Sequence, residues 1–202
     1  MNPYKSLVAK VKELADIYEE ILNPGATAAE MKDFLKEIGL EVPKAFVDFY
    51  QVCNGAEEDS KVDVESIWFL PLDGVIRMKK MFDSILQEKK AENTFFFWHR
   101  DWLPFGENYG YDTLAIDTSG KATGLKGCVL KRSKDLSEGE KMQILALDFG
   151  AFIEGWASRV EEEQIYSFTV RTDDGKNELI DGDDSFYYED VDSVQYIVSG
   201  DA

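Results

Sequence analysis

The residues of this chain that could best do chemistry are three carboxylates close together in sequence. Glu107, Asp112 and Asp117 all lie in the stretch from Trp102 to Asp117. A clustered pair of carboxylates can act as general acid and base or hold a divalent cation, because hard cations take oxygen ligands. The simpler interpretation, which we favour, is that Asp112 organises a turn, Asp117 caps a strand and Glu107 faces a partner.

The same stretch has the pattern of a strand, a turn and a second strand. Leu114 and Ile116 alternate with Ala115 and Asp117, which is the period of a half-buried strand. Large aromatic residues on a polar turn have less reason to be buried, and two tyrosines bracket a glycine in this turn. We therefore predict a partner-binding surface made of six residues: Glu107, Asn108, Tyr109, Tyr111, Asp112 and Asp117.

Other catalytic chemistry is not indicated. His99 is the single histidine, and without a G-x-S-x-G elbow or a cysteine-nucleophile signature we expect it to be structural. Cys53 and Cys128 lack the ligand spacing of a zinc site, and the chain has neither a Walker loop nor a G-x-G-x-x-G run. We predict no catalytic residue, no metal site and no cofactor.

Length and composition indicate a globular protein. The chain has 202 residues, of which 44% are hydrophobic and 13% aromatic, enough for one domain with a full core and an appendage. Charges interrupt every apolar run before it reaches the length of a bilayer span, and the N-terminus lacks the features of a signal peptide. Two cysteines imply no disulfide framework. We expect a cytoplasmic protein that does not bind membranes.

Negative charge is concentrated at the C-terminal end. The formal net charge is −18, and residues 161–202 contribute 13 acidic and 2 basic side chains. Such a surface repels phosphate backbones, so we predict no direct nucleic-acid binding. It would attract a basic protein partner, although acidity that serves solubility alone explains the charge equally well.

Helix signals dominate the first 90 residues. Apolar residues recur at helical spacing from Pro3 to Leu22. Thr27 and Glu30 form a capping-box pattern that opens a second helix, which should stop at Gly39.

Two further helices are predicted downstream. The third begins at Pro43, and Gly55 closes it in the left-handed conformation. Asp73 caps a longer helix, whose lysines, Lys79 among them, suit the negative end of the helix dipole. The acidic segment 56–65 between these helices should be a solvated loop.

Strand patterns alternate through the second half of the chain, and Asp148 caps a last strong helix. This order predicts an α+β fold with N-terminal helices packed on one antiparallel sheet and a C-terminal helix. Short β-type runs separated by Asp/Gly clusters follow this helix. We therefore divide the chain into a domain of residues 1–160 and an acidic, β-rich extension of residues 161–202.

Two motifs in fixed order carry a resemblance to a known family. The tryptophan-led segment 102–108 and the acidic strand after it resemble a signature of the SUKH superfamily, which includes yeast cell-wall-synthesis regulators and many bacterial immunity proteins. Three upstream features match the same family: the capped second helix, the hydrophobic residue followed by proline, and the Asn-Gly pair at the end of the third helix. Eight residues carry these structural motifs: Trp102, Pro104, Phe105, Gly106, Thr27, Glu30, Pro43 and Gly55.

The resemblance implies the same α+β architecture and a non-enzymatic binding protein. Its leading implication is a bacterial immunity protein that neutralises a toxin, often a nuclease, by direct binding; a basic toxin domain would suit the acidic surface. One alternative is a regulatory scaffold of the cell-wall-synthesis type. Another, taken from the residues, is a metal-dependent hydrolase using Glu107, Asp112 and Asp117. The oligomeric state is not specified by any of these patterns.

Overall fold

A computed structural model of the chain describes most residues before position 162 and two short strands after it. The described residues are 2, 4–9, 22–56, 62–64, 67–108, 112–133, 143–161, 168–171 and 177–180. Of these, residues 62–64, 108, 157–161, 168–171 and 177–180 are described by their backbone alone. Within the described part, none of the helices combines the length and the apolar character needed to cross a bilayer.

Helices come first among the described residues, and strands and helices alternate after them. The helices are α1 (residues 5–9), α2 (Ala28–Ile38), α3 (Lys44–Tyr50), α4 (Leu72–Ala91) and α5 (Phe149–Glu161). The strands are β1 (Val62–Val64), β2 (Ile67–Phe69), β3 (Trp102–Asn108), β4 (Asp112–Asp117), β5 (Val129–Arg132), β6 (Gln143–Ala146), β7 (Phe168–Arg171) and β8 (Asn177–Ile180).

All the strands belong to one antiparallel sheet, in the order β6-β5-β4-β3-β2-β1-β7-β8. The strands β2 to β6 carry the buried side chains that meet the helices. The predicted α+β class, with helices on an antiparallel sheet and a C-terminal helix, is confirmed.

The sheet has buried side chains on both of its faces. One face meets the main core, to which every helix contributes; Leu114 and Ile116 of β4 point into it. The opposite face carries a second cluster, which consists of Phe82, Phe97, Trp98, Trp102, Ala115 and Leu130. Because successive strand residues point to opposite faces, Ala115 joins the second cluster while its neighbours in β4 join the main core.

The predicted start and end of α2 are confirmed. Thr27 accepts the backbone N–H of Glu30 (3.2 Å), while the Glu30 carboxylate accepts the N–H of Thr27 (2.7 Å), which completes the capping box. The hydrogen bonds that the exposed Glu30 carboxylate accepts from the backbone N–H and the hydroxyl of Thr27 lower its pKa. Gly39 ends the helix in the left-handed conformation, with φ 65°.

The predicted ends of α3 and α4 were partly wrong. Pro43 does precede α3, but the helix ends at Tyr50, and Gly55 lies beyond it. Gly55 has φ 66°, and a Cβ there would stand 2.5 Å from the Leu70 carbonyl, so this glycine allows a close approach of two backbones. Asp73 lies inside the first turn of α4; the amide of Leu72 at the start of this helix donates to the Asn54 side chain instead (2.9 Å).

Lys79 does not point to solvent at the helix end. It lies within α4, is 6% exposed and forms an ion pair with Asp83, which also accepts the indole N–H of Trp98 (2.9 Å). Lys89 and Lys90 do occupy the last turn, where they suit the negative end of the dipole.

The segment 56–65 is not wholly a loop, because it contains β1. Periodicity could not reveal this strand, since it is three residues long and lies in an acidic run. The predicted first helix is described only through residues 5–9, and its remainder lies outside the described residues.

The boundary near residue 160 remains a prediction that truncation can test. We expect deletion of every residue after Glu163 to leave a cooperative thermal transition close to that of the intact protein, because composition and charge change at this point: residues 161–202 contain 13 acidic and 2 basic side chains. Calorimetry or circular dichroism in dilute solution measures this. An insoluble or molten product would show that the C-terminal residues belong to the core.

Candidate functional site

The hairpin formed by β3 and β4 positions the predicted partner-binding residues. Its register pairs Trp102 with Asp117 at one end and Asn108 with Asp112 at the other. A register shift between Pro104 and Gly106 introduces a bulge between these ends. The Trp102–Asp117 end of the hairpin therefore lies within the fold, and the Asn108–Asp112 end leads into residues outside the described part of the chain.

Buried contacts on both faces hold the first of these two ends. Leu103 and Phe105 lie in the main core, and Trp102 lies in the second cluster. The Tyr50 hydroxyl of α3 donates to the carbonyls of Leu70 (2.8 Å) and Phe105 (3.3 Å), which ties the helix to two strands. Burial raises the pKa of Tyr50 well above its usual range, so the phenol stays protonated and can donate.

Asp117 is not on the surface. Its side chain is 0% exposed and is surrounded by the loop that follows β4. One carboxylate oxygen accepts the backbone N–H of Gly120 (2.8 Å), and the other accepts both the N–H (3.0 Å) and the hydroxyl (2.8 Å) of Thr123. Asp117 thus organises the loop, and we leave it out of the proposed binding surface.

Asp112 pairs with Asn108 at the second end of the hairpin and has a basic neighbour. Its carboxylate is 2.9 Å from the ammonium group of Lys131 on the adjacent strand β5. The side chain of Asp112 is 17% exposed and that of Lys131 is 29% exposed, so solvent reaches this ion pair only in part. Asp112 shares its face with Leu114, which is the face of the main core.

Glu107 lies on the other face of the sheet. It stands opposite Thr113 in β4 and opposite Trp68 in β2, and residues directly opposite one another in antiparallel strands share a face. Its side chain is half-buried. The backbone of Asn108 is in β3, while Tyr109 and Tyr111 lie outside the described residues.

The three carboxylates do not converge on one point. Glu107 and Asp112 point to opposite faces, and Asp112 and Asp117 are five residues apart in one strand, about 17 Å at the usual rise of a β-strand. Among the described residues, no group of three or more His, Cys, Asp or Glu side chains is suited to hold a metal ion. The clustered site required by the hydrolase alternative is therefore not formed.

Sequence reasoning missed a buried arginine next to this hairpin. Arg132 of β5 is 7% exposed, donates from Nε to the Phe97 carbonyl (2.7 Å) and lies over the rings of Phe82 (4.8 Å) and Phe96 (5.0 Å). Burial lowers the pKa of its guanidinium. The alternation of residues along a strand could have indicated this burial, because Arg132 lies two positions after Leu130 and therefore shares its buried face.

His99 and the two cysteines have structural surroundings. His99 accepts the backbone N–H of Asp101 at Nδ1 (3.1 Å) in the turn before β3, and burial lowers its pKa. Cys53 and Cys128 are both buried and form no disulfide with each other. Burial raises the pKa of the Cys128 thiol, which makes the reactive thiolate scarce at neutral pH.

The described residues form an antiparallel sheet that is covered by helices and contains the β3–β4 hairpin. The family model described as the SMI1 / KNR4 family (SUKH-1) matches residues 25–155 of the chain. The chain belongs to this family. A comparison with curated proteins found no match.

Proposed function

We propose that this chain is a non-enzymatic protein-binding module, and specifically an immunity protein that neutralises a basic toxin domain by direct binding. The observation that carries the proposal is the family match across residues 25–155, which spans the hairpin and most of the described core. The formal net charge of −18 supports a basic partner, because opposite charge accelerates encounter.

The Asn108–Asp112 end of the β3–β4 hairpin is the surface that we assign to the partner. Glu107 and Asp112 flank it on opposite faces of the sheet, and neither is fully buried. A partner that packs against one face would contact one of these carboxylates. A partner that grips the end of the hairpin from both sides would contact both.

The second candidate function is a regulatory scaffold of the cell-wall-synthesis type, which the SMI1 / KNR4 family description favours. A scaffold would bind a component of that machinery and would give no protection against a toxin. The two candidates therefore differ in the identity of the partner, while they share the binding role.

Charge reversal at the hairpin should weaken partner association without unfolding the protein. If a gene beside this one encodes a toxin domain, cells that produce this domain should survive when they also produce the wild-type chain. We expect Glu107→Lys or Asp112→Lys to lose this protection. In purified form, both variants should associate more slowly, and the wild-type association rate should fall as salt rises, because screening acts over about 8–10 Å.

Glu88→Lys is the matched control, since it makes the same charge change at an exposed position of α4. If this control loses protection equally, the effect is one of net charge and the hairpin is not the contact surface. Equal unfolding midpoints in denaturant must be established for all three variants. A wild-type chain that neither protects the cells nor binds the toxin domain would overturn the immunity proposal.

A further inference from the structure

The outer edge of β1 is covered by a strand from outside the family-matched region. The match ends at residue 155, whereas β7 pairs with β1 through Val62–Val170, Asp63–Thr169 and Val64–Phe168. β8 then pairs with β7 and becomes the edge of the sheet. The sheet is thus extended beyond β1 by a C-terminal hairpin.

The residue types at the paired positions of β2, β1, β7 and β8 are consistent with this strand register. One row of directly paired positions runs from Ile67 in β2 through Val64 and Phe168 to Ile180 in β8, and every member is apolar. Paired positions share a face, and Ile67 belongs to the main core. The hairpin therefore continues the core side of the sheet with residues that favour strands.

The contact between β1 and the hairpin is short. Three residue pairs join β1 to β7, and a two-stranded hairpin by itself is marginally stable in water. The hairpin consequently needs β1 in order to form. Without the hairpin, β1 would present unpaired backbone N–H and C=O groups, and such an edge readily accepts another strand.

We propose that the outer edge of β1 is a strand-binding site whose occupant is the chain's own strand β7, which pairs in turn with β8. These two strands act as a detachable cap. When the cap is displaced, the edge binds the same strand supplied by a second copy of the chain or as a peptide. β2 lies between this site and the β3–β4 hairpin, and the inference does not rest on the proposed function.

The test displaces the cap in the full-length chain with Thr169→Pro and Val170→Pro together. Adjacent residues of a strand direct their backbone N–H groups to opposite sides of the strand, so one of the two residues directs its N–H toward β1. Replacing both residues with proline removes this N–H whichever of the two supplies it. A fluorescently labelled peptide of residues 167–181 is the probe. We expect the variant to bind it saturably and to lose amide-exchange protection at residues 62–64, while the wild-type chain binds no peptide.

Two controls make the result decisive. Ser185→Pro with Phe186→Pro adds the same two prolines outside both strands and should leave peptide binding absent. Asp63→Cys with Thr169→Cys places cysteines at paired positions, whose Cα separation of about 4.5–5.5 Å is within reach of a disulfide. This variant should cross-link on oxidation and then exclude the peptide.

Several outcomes would overturn the proposal. A Thr169→Pro/Val170→Pro chain that fails to fold would show that the hairpin is an integral part of the domain. A folded variant that ignores the peptide and keeps protection at residues 62–64 would show that β1 is not an acceptor. Failure of the paired cysteines to cross-link would show that the register does not form. None of these results bears on toxin binding at the other hairpin.

Discussion

Replacing Trp102 with alanine should destabilise the protein by roughly 3–5 kcal/mol, the range for removing a large aromatic side chain from a core. Trp102 is 0% exposed and packs against Phe97 and Trp98, with ring centroids 5.4 and 5.5 Å away. These contacts fasten the segment before β3 onto the second face of the sheet. Chemical denaturation with linear extrapolation measures the loss of unfolding free energy.

Trp102→Phe is the matched control. The indole N–H of Trp102 is buried, and among the described residues no acceptor meets it. An orphaned donor costs about 1–3 kcal/mol, so phenylalanine removes a cost while keeping most of the ring contacts. We expect the phenylalanine variant to lose much less stability than the alanine variant. A loss below about 1 kcal/mol for Trp102→Ala would show that this ring contributes little to the core.

Asp117→Ala should also be strongly destabilising, on the order of 3 kcal/mol, because it leaves several hydrogen-bond donors of the loop without their acceptor. The backbone amide of Thr123 should account for much of this loss, since Thr123 is itself buried and its amide has little access to water. The thermal midpoint and the unfolding free energy should both fall.

Asp117→Asn separates the structural role from a role in recognition. One oxygen remains in asparagine, so the loop keeps part of its hydrogen bonding, and we expect an intermediate loss of stability. Partner association by the folded asparagine variant should match the wild type. Weakened association at unchanged stability would return Asp117 to the binding surface, and a loss below about 0.5 kcal/mol for Asp117→Ala would contradict the loop role.

Much of the fold was predictable because its signals are local. Thr27 and Glu30 are three residues apart, and this spacing alone brings each side chain to the backbone of the other. Asp148 likewise caps α5 by accepting the N–H of Ala151 (2.8 Å). The alternation of Leu114 and Ile116 with their neighbours predicted β4 in the same way, since side-chain direction in a strand has a period of two.

The arrangement of the candidate site was harder to predict, because it depends on the face of the sheet to which each side chain points and on how deeply that side chain is buried. Glu107 and Asp112 are five residues apart across a turn, and the strand register decides that they point to opposite faces. Asp117 has the residue type of a surface contact, yet the following loop folds back over it and surrounds its carboxylate with N–H and O–H donors.

Sequence by itself determined the acidic charge, the family signature and most of the helices and strands, since each depends on composition or on residues within a few positions of one another. Tertiary structure decided the burial of Lys79, Asp117 and Arg132 and the place of β1 in the sheet. These outcomes depend on contacts between distant segments, such as Arg132 with Phe97 and Val64 with Phe168. A buried polar group is stable when distant partners satisfy it, and no short-range pattern contains those partners.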